Sequence, residues 1–274
     1  MPADPALGTA LARLESRWGS TAVRLGVAAD LPDVPSRPVA PLPDEVVPTG
    51  FARLDELLGT GGLPRGASAS FRGARSSGKT SLALHCLAQA QARGGIVAFL
   101  DLCRIFDPLE AAARGVDLRW LLVCRPVDVE EGWALGAALV SGRQIDLLVV
   151  DLPERLGAGH DAALRRLAAH ARRSSVRLIV LEPMRLAASI HGALSESVGL
   201  RLELEQRAWL RAGRDVVGRS VAVNVAKNRF GPPGRQAEIE IRYLVDGEHT
   251  AAIERLALPD NQPSANPIRL ARSA

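Results

Sequence analysis

Phe71-Arg72-Gly73-Ala74-Arg75-Ser76-Ser77-Gly78-Lys79-Thr80-Ser81 carries the spacing G-x-x-x-x-G-K-T of a phosphate-binding loop. Each part of that spacing has a chemical reason. Two glycines let the backbone curl until successive N–H groups point at phosphate oxygens. Lys79 offers a compact positive charge to the β and γ phosphates, and the Thr80 hydroxyl can complete a magnesium shell. The helix that follows adds its positive N-terminal end. Gly73, Ala74, Arg75, Ser76, Ser77, Gly78, Lys79, Thr80 and Ser81 are therefore expected to hold the phosphates of a nucleotide, with ATP and Mg2+ as cofactors.

The flanks supply the frame that a chance match would lack. Ala67 to Phe71 alternates as a short strand does, and Ser81 to Ala90 is rich in helix formers. Outward from there, Ile96 to Asp101, Trp120 to Cys124, Ile145 to Asp151 and Arg177 to Leu181 are apolar runs suited to strands buried on both faces. Between them, Pro108 to Arg114, Asp128 to Val140 and Asp161 to Arg173 read as helices. Strand–helix alternation implies a mostly parallel sheet flanked by helices. After Gly199 the rhythm changes. Leu200 to Glu205, Val221 to Lys227 and Ala237 to Tyr243 alternate apolar and polar residues between turn signals, which predicts an antiparallel C-terminal extension. The fold class is α/β.

Upstream of the loop, Pro5 to Trp18 places Ala6, Leu7, Leu11, Leu14 and Trp18 at helical spacing, and Ser20 to Gly26 reads as extended. Asp30 to Pro48 is a proline-rich linker. A helix tied on in this way either caps its own domain or reaches a neighbouring protomer. Thr49 is placed to cap a short helix ending at Leu58. The expected division is a partner or oligomerisation segment over 1–45, an ATP-binding core over 46–258 and a flexible tail over 259–274.

The 274 residues contain no apolar run of membrane-spanning length and no charged-then-apolar leader pattern. Three cysteines (Cys86, Cys103, Cys124) show no metal spacing and no C-x-x-C. Those features predict a reduced, cytoplasmic protein without a membrane partner. Only two of the 34 basic residues are lysines, Lys79 and Lys227. Codon bias is the plain reading of that skew; the functional reading is that these two sites want an ammonium rather than a guanidinium. Asp151 closes an apolar strand downstream of the loop, where an acid either holds magnesium or caps the strand end; with the loop upstream the metal role, shared with Thr80, is favoured.

From Leu7 to Tyr243 the chain resembles the bacterial RecA recombinase family. The residues that carry the likeness are Ala10 to Glu15 with Arg24-Leu25-Gly26, Thr49 to Asp55, Gly61 to Gly66, Ser76 to Thr80, Asp107-Pro108, Gly115-Val116-Asp117, Val221 to Arg229 and Gln236-Ala237-Glu238. The resemblance implies a RecA-like P-loop core. It also implies Asp107 beside the adenine, and Lys227 and Arg229 reaching the nucleotide of an adjacent protomer; the plainer reading of Lys227 is a solvated strand-end charge. The departures matter equally. Where the family has a catalytic glutamate two residues after the acid matching Asp101, this chain has Cys103. The γ-phosphate-sensing glutamine falls at Pro183 and the adenine-stacking tyrosine at Glu110. Both DNA-binding loops, over 152–160 and 183–200, read as shortened, and the family's C-terminal DNA-gating domain is expected to be absent. Glu154 is either a substitute base or, more simply, a surface acid.

The resemblance thus implies a RecA-like accessory protein that binds ATP with weak or absent hydrolysis. It looks most like the ImuA group, which partners the polymerase-related ImuB in damage-induced translesion synthesis. The expected partners are RecA-like protomers (its own or RecA) and an ImuB-like protein, with DNA contacted directly or through them. A family of division inhibitors shares the same core. The alternative is an active DNA-dependent ATPase forming filaments on single-stranded DNA, with Arg165, Arg166, Arg172 and Arg173 meeting phosphates or forming a solvated helix face. Aromatic residues make up 4% of the chain, so stacking platforms for bases are scarce.

Overall fold

The computed structural model describes residues 46–243 except Ala158, together with Val23–Leu25 and the single positions Ala12 and Ser16. The expected helix over 5–18 lies outside the described residues except at those two positions, both helical and exposed. Most of the proline-rich linker and the expected tail also lie outside them.

Strand β1 is Val23–Leu25, and β2 (Val46–Val47) pairs with β3 (Leu63–Pro64) in a two-stranded ribbon. Between them stands α1, Ala52–Leu58. Its N-cap residue is Phe51 rather than the expected Thr49. The Thr49 hydroxyl instead accepts from the Phe51 N–H at 3.3 Å, while the Thr49 N–H donates to Asp55 Oδ1 at 2.8 Å. The acid one turn into the helix reaches back to fix the incoming chain.

The main body alternates as expected. It runs β4 (Ser68–Gly73), α2 (Lys79–Ala92), β5 (Val97–Asp101), α3 (Pro108–Ala113), β6 (Leu121–Cys124), α4 (Val129–Ser141), β7 (Leu147–Asp151), α5 (Asp161–Arg173) and β8 (Arg177–Pro183). Then come α6 (Ala188–Ser197), β9 (Leu200–Ala212), β10 (Asp215–Asn228) and β11 (Gln236–Arg242). These strands, with β1, form a nine-stranded sheet in the order β1-β6-β5-β7-β8-β4-β9-β10-β11. From β6 to β9 neighbouring strands are parallel. The antiparallel extension begins at β10, one strand later than the alternation of Leu200 to Glu205 implies, because β9 runs parallel to β4. β1 closes the far edge antiparallel to β6, with Val23 opposite Cys124.

Every residue of β5, β7 and β8 is buried, as helix layers on both faces require. One core, around Phe71, Phe99, Leu82 and Leu87, lies between the sheet, α1, α2 and α3. The other, around Leu100, Leu148, Leu164 and Leu194, lies under α4, α5 and α6. Helix α5 buries Leu164, Leu167, Ala168 and Ala171 at the i, i+3, i+4, i+7 spacing of an amphipathic helix. Its arginine face is exposed, with Arg165 paired to Glu196 at 2.6 Å.

Helix α6 occupies a stretch that reads as loop in the sequence. A buried ionic cluster fastens it: the fully buried Glu182 accepts from Arg201 Nη2 at 3.1 Å and lies 2.8 Å from His191 Nδ1 on α6, while Arg201 also donates to the Ser195 hydroxyl. The cluster leaves only residues 184–187 irregular between β8 and α6.

Candidate nucleotide-binding site

The site forms at the carboxyl ends of the parallel strands, where helix N-termini and strand-end acids converge. β4 ends at Gly73 and delivers the chain into the loop; α2 starts at Lys79 with Gly78 as its N-cap at φ +94°. Only glycine fits at either position. A Cβ on Gly73 would fall 2.2 Å from Ser77 Oγ, and one on Gly78 would fall 2.8 Å from Ile241 Cδ1. The α2 N-terminus has no side-chain cap and no acid in its first turn, so its free N–H groups are left for an anion.

A cavity of about 520 Å³ opens over this loop, lined on one side by Ser76 to Ser81 and Asp151 and on the other by Phe106, Asp107, Glu110, Arg219 and Tyr243. Its size is that of a small-molecule site. Lys79 donates from Nζ to the Gly73 and Ala74 carbonyls, both at 3.3 Å. Burial pushes the Lys79 ammonium below its ordinary pKa, and Asp151, then Cys103, pull it back. Asp151 is 3% exposed, its Oδ2 has no hydrogen-bond partner among the described residues, and burial lifts its carboxyl to about 6 against the attraction of Lys79. Ser77 Oγ is likewise buried and unpartnered. Orphaned polar atoms of this kind, in a glycine-shaped cradle, fit a phosphate chain with a divalent cation. Among the described residues no cluster of three or more His, Cys, Asp and Glu could hold a metal alone. A magnesium ion would therefore be shared between phosphate oxygens, the Thr80 hydroxyl and Asp151.

Asp101 stands beside Asp151 in register but has a different task. Its carboxylate accepts from the Ile105 and Phe106 N–H groups at 2.9 and 3.1 Å and pairs with Arg125 Nε at 2.9 Å. It is fully engaged in shaping the turn that carries Cys103. The Cys103 thiol lies 3.6 Å from the Asp151 carbonyl oxygen, and burial together with the Asp151 charge raises its pKa to about 12. A thiol that keeps its proton cannot take one from water. Glu154 is half-exposed and pairs with Arg75 at 3.0 Å. Pro183 ends β8 and offers no donor.

Asp107 lines the cavity, with Oδ1 capping α3 by accepting from the Leu109 and Glu110 N–H groups at 2.9 and 3.3 Å. Glu110 accepts from Ser81 Oγ at 3.2 Å and from Arg114 at 2.8 Å. Aromatic rings do line the cavity, Phe106 and Tyr243 among them. Tyr243, just past β11, reaches the cavity with Arg114 at 5.6 Å and Arg219 at 5.2 Å from its ring centre. Neither Tyr243 nor Arg219 is signalled by any local motif. Only the antiparallel pairing of β9, β10 and β11 brings them to a loop more than a hundred residues away.

Lys227 and Arg229 are not brought to this cavity. Lys227 pairs with Arg201 on β9, whereas Gly73 pairs with Leu204. The two levels are ~10 Å apart along the strand, and the loop projects further away. There Lys227 donates to the Ser195 carbonyl, and Arg229 Nη2 donates to the Glu196 carbonyl at 3.2 Å.

The RecA N-terminal domain family matches residues 6–247 of the chain. The chain belongs to the RecA family. It is 35% identical to the protein RecA of Leifsonia xyli subsp. xyli over 92% of its own length and 76% of that protein's. It is 33% identical to the protein RecA of Methylococcus capsulatus (87% and 74%) and 34% identical to that of Brucella anthropi (87% and 71%). The RecA-family core thus includes the phosphate loop, the Asp151 strand and the β9–β11 extension that supplies Tyr243. Among the described residues no helix is long and apolar enough to cross a membrane.

Proposed function

We propose that this RecA-family protein is a nucleotide-holding accessory factor of the DNA-damage response. It binds ATP and Mg2+, hydrolyses ATP weakly or not at all, and acts through protein contacts in damage-induced translesion synthesis. The observation that carries this reading is Cys103, whose protonated thiol stands beside Asp151 where the resemblance calls for a catalytic carboxylate. Gly73 to Ser81 would hold the phosphate chain, Asp107 and Tyr243 would flank the base, and Thr80 and Asp151 would hold the metal. Bound magnesium would neutralise phosphate charge. Without a base or a γ-phosphate sensor, the bound triphosphate fixes an assembly state instead of driving turnover. Lys227 and Arg229 lie away from the chain's own cavity, which fits a charge given in trans to an adjacent protomer.

ATP turnover with single-stranded DNA is expected to be at least ~100-fold below that of a recombinase, since a positioned general base contributes 10²–10⁴ in rate. A phosphate-release assay with and without DNA measures it. Brisk, DNA-stimulated hydrolysis would establish instead the second reading, a filament-forming recombinase, which the likeness to proteins named RecA favours.

The proposed partners are RecA-like protomers and an ImuB-like protein in the cytoplasm, with residues 1–45 as contact segment, 46–258 as core and 259–274 as tail. β1 belongs to the contact segment yet pairs with the edge strand β6. A chain lacking 1–45 exposes that edge. Its number of protomers by light scattering and its capture of RecA or an ImuB-like protein are expected to change, and the same protomer number and capture for both chains would defeat this part of the proposal.

A further inference from the structure

We infer that Arg219 is a second phosphate-binding cation of this site, an assignment that rests on the nucleotide-binding reading above. Arg219 lies on β10 opposite Trp209 of β9, and its side chain turns back to the phosphate loop. One Nη1–H donates to the Ser76 carbonyl, at a loop residue held at φ +61°. The guanidinium lines the cavity 5.2 Å from the Tyr243 ring centre and 6.0 Å from that of Trp209. Its Nε is buried and has no hydrogen-bond partner among the described residues.

Arg219 has no counter-ion within 4 Å among the described residues; the buried Arg177, which also lacks one, donates to the Leu63 carbonyl at 2.9 Å, whereas Arg219 faces the cavity. The comparable arginines Arg114, Arg125 and Arg201 each meet a carboxylate, Glu110, Asp101 and Glu182 respectively, within 2.8 to 3.1 Å. Arg219 forms no such pair among the described residues, although Asp107 and Glu110 line the same cavity. A half-buried guanidinium held between two rings, with donors to spare and no acid, is suited to an anion that arrives from solution. The loop beside it is built for one. The remaining donors of the fork serve an oxygen of the phosphate chain, while Lys79 serves it from the other side. Trp209, outside the site, then senses the guanidinium's movement.

Affinity for ATP and ADP, measured by calorimetry on the full chain, is expected to fall about 10–100-fold in Arg219→Ala, the range of a hydrogen bond to a charged group. A role confined to pinning the Ser76 carbonyl needs a donor but no charge. Arg219→Lys should therefore recover part of the affinity and Arg219→Gln should not. Nucleotide should also change the tryptophan emission of the wild type but not of Trp209→Phe. Wild-type affinity in Arg219→Ala, or rescue by Gln as good as by Lys, overturns the assignment while leaving nucleotide binding intact. Failure of the wild type to bind any nucleotide overturns both.

Discussion

Lys79→Ala is expected to lose nucleotide binding by at least ~100-fold, because two hydrogen bonds to a charged group at ~1.5 kcal/mol each disappear together. Two further effects push the same way. The ammonium is the main attraction holding the Asp151 carboxyl down, so its removal raises that pKa further and leaves less carboxylate for a metal near neutral pH. It also removes the cation at the first residue of α2, where the phosphates would sit. The fold itself should survive. Burial lowers the Lys79 pKa, so its charged form is a cost to folding and is not what holds the fold together. Helix α2 is held instead by Leu82, Leu84 and Leu87. Titration with a fluorescent ATP analogue, beside a thermal melt of the same samples, tests this. Binding within threefold of wild type in a folded Lys79→Ala protein would mean that the phosphate loop does not hold the nucleotide.

The phosphate loop was legible because its chemistry is local: strand, glycine turn and helix start lie within a dozen residues. The buried strands were legible because burial on both faces leaves unbroken apolar runs, as at Leu147–Asp151. Helix α6 left no such trace. Its buried positions are few (Ile190, Ala193 and Leu194), and it is fastened by His191 and Ser195 to charges on other strands. The outer half of the β9–β10 hairpin was missed for the opposite reason. Beyond Glu205 both faces are wet, so alternation stops while pairing continues to Ala212 opposite Asp215. Tyr243 and Arg219 join the cavity through sheet register alone, which no residue spacing encodes. Asp101 and Asp151 looked alike at the ends of two apolar runs. Only their partners separate a carboxylate engaged by Arg125 and two backbone N–H groups from one whose Oδ2 has no partner among the described residues.

That unsatisfied carboxylate leads to an opposite pair of outcomes in one variant, Asp151→Asn. In the unfolded chain Asp151 titrates near the ordinary 3.8, whereas in the folded protein it titrates at about 6. The folded state holds the proton more tightly. Its contribution to stability is therefore complete below about pH 3.8 and is lost as pH rises through about 6. At pH 7.5 the buried charge is a cost on the order of 2–3 kcal/mol even with the attraction of Lys79, and its removal gains less than that because an amide there is still a buried polar group. Asp151→Asn removes the charge and keeps the shape. Without metal or nucleotide it should be more stable than wild type by about 1–2 kcal/mol at pH 7.5, a rise of ~3–6 °C in Tm, and the gain should fade below about pH 6 and vanish near pH 3.8. With ATP and Mg2+ the order should reverse, since a neutral amide is a poorer ligand for a hard cation than a carboxylate, and the wild type alone gains the metal's binding energy. Thermal melts at the two pH values, with and without ATP and Mg2+, decide the matter. An Asp151→Asn protein no more stable than wild type at pH 7.5, or stabilised equally by ATP and Mg2+, would mean that this acid merely closes its strand.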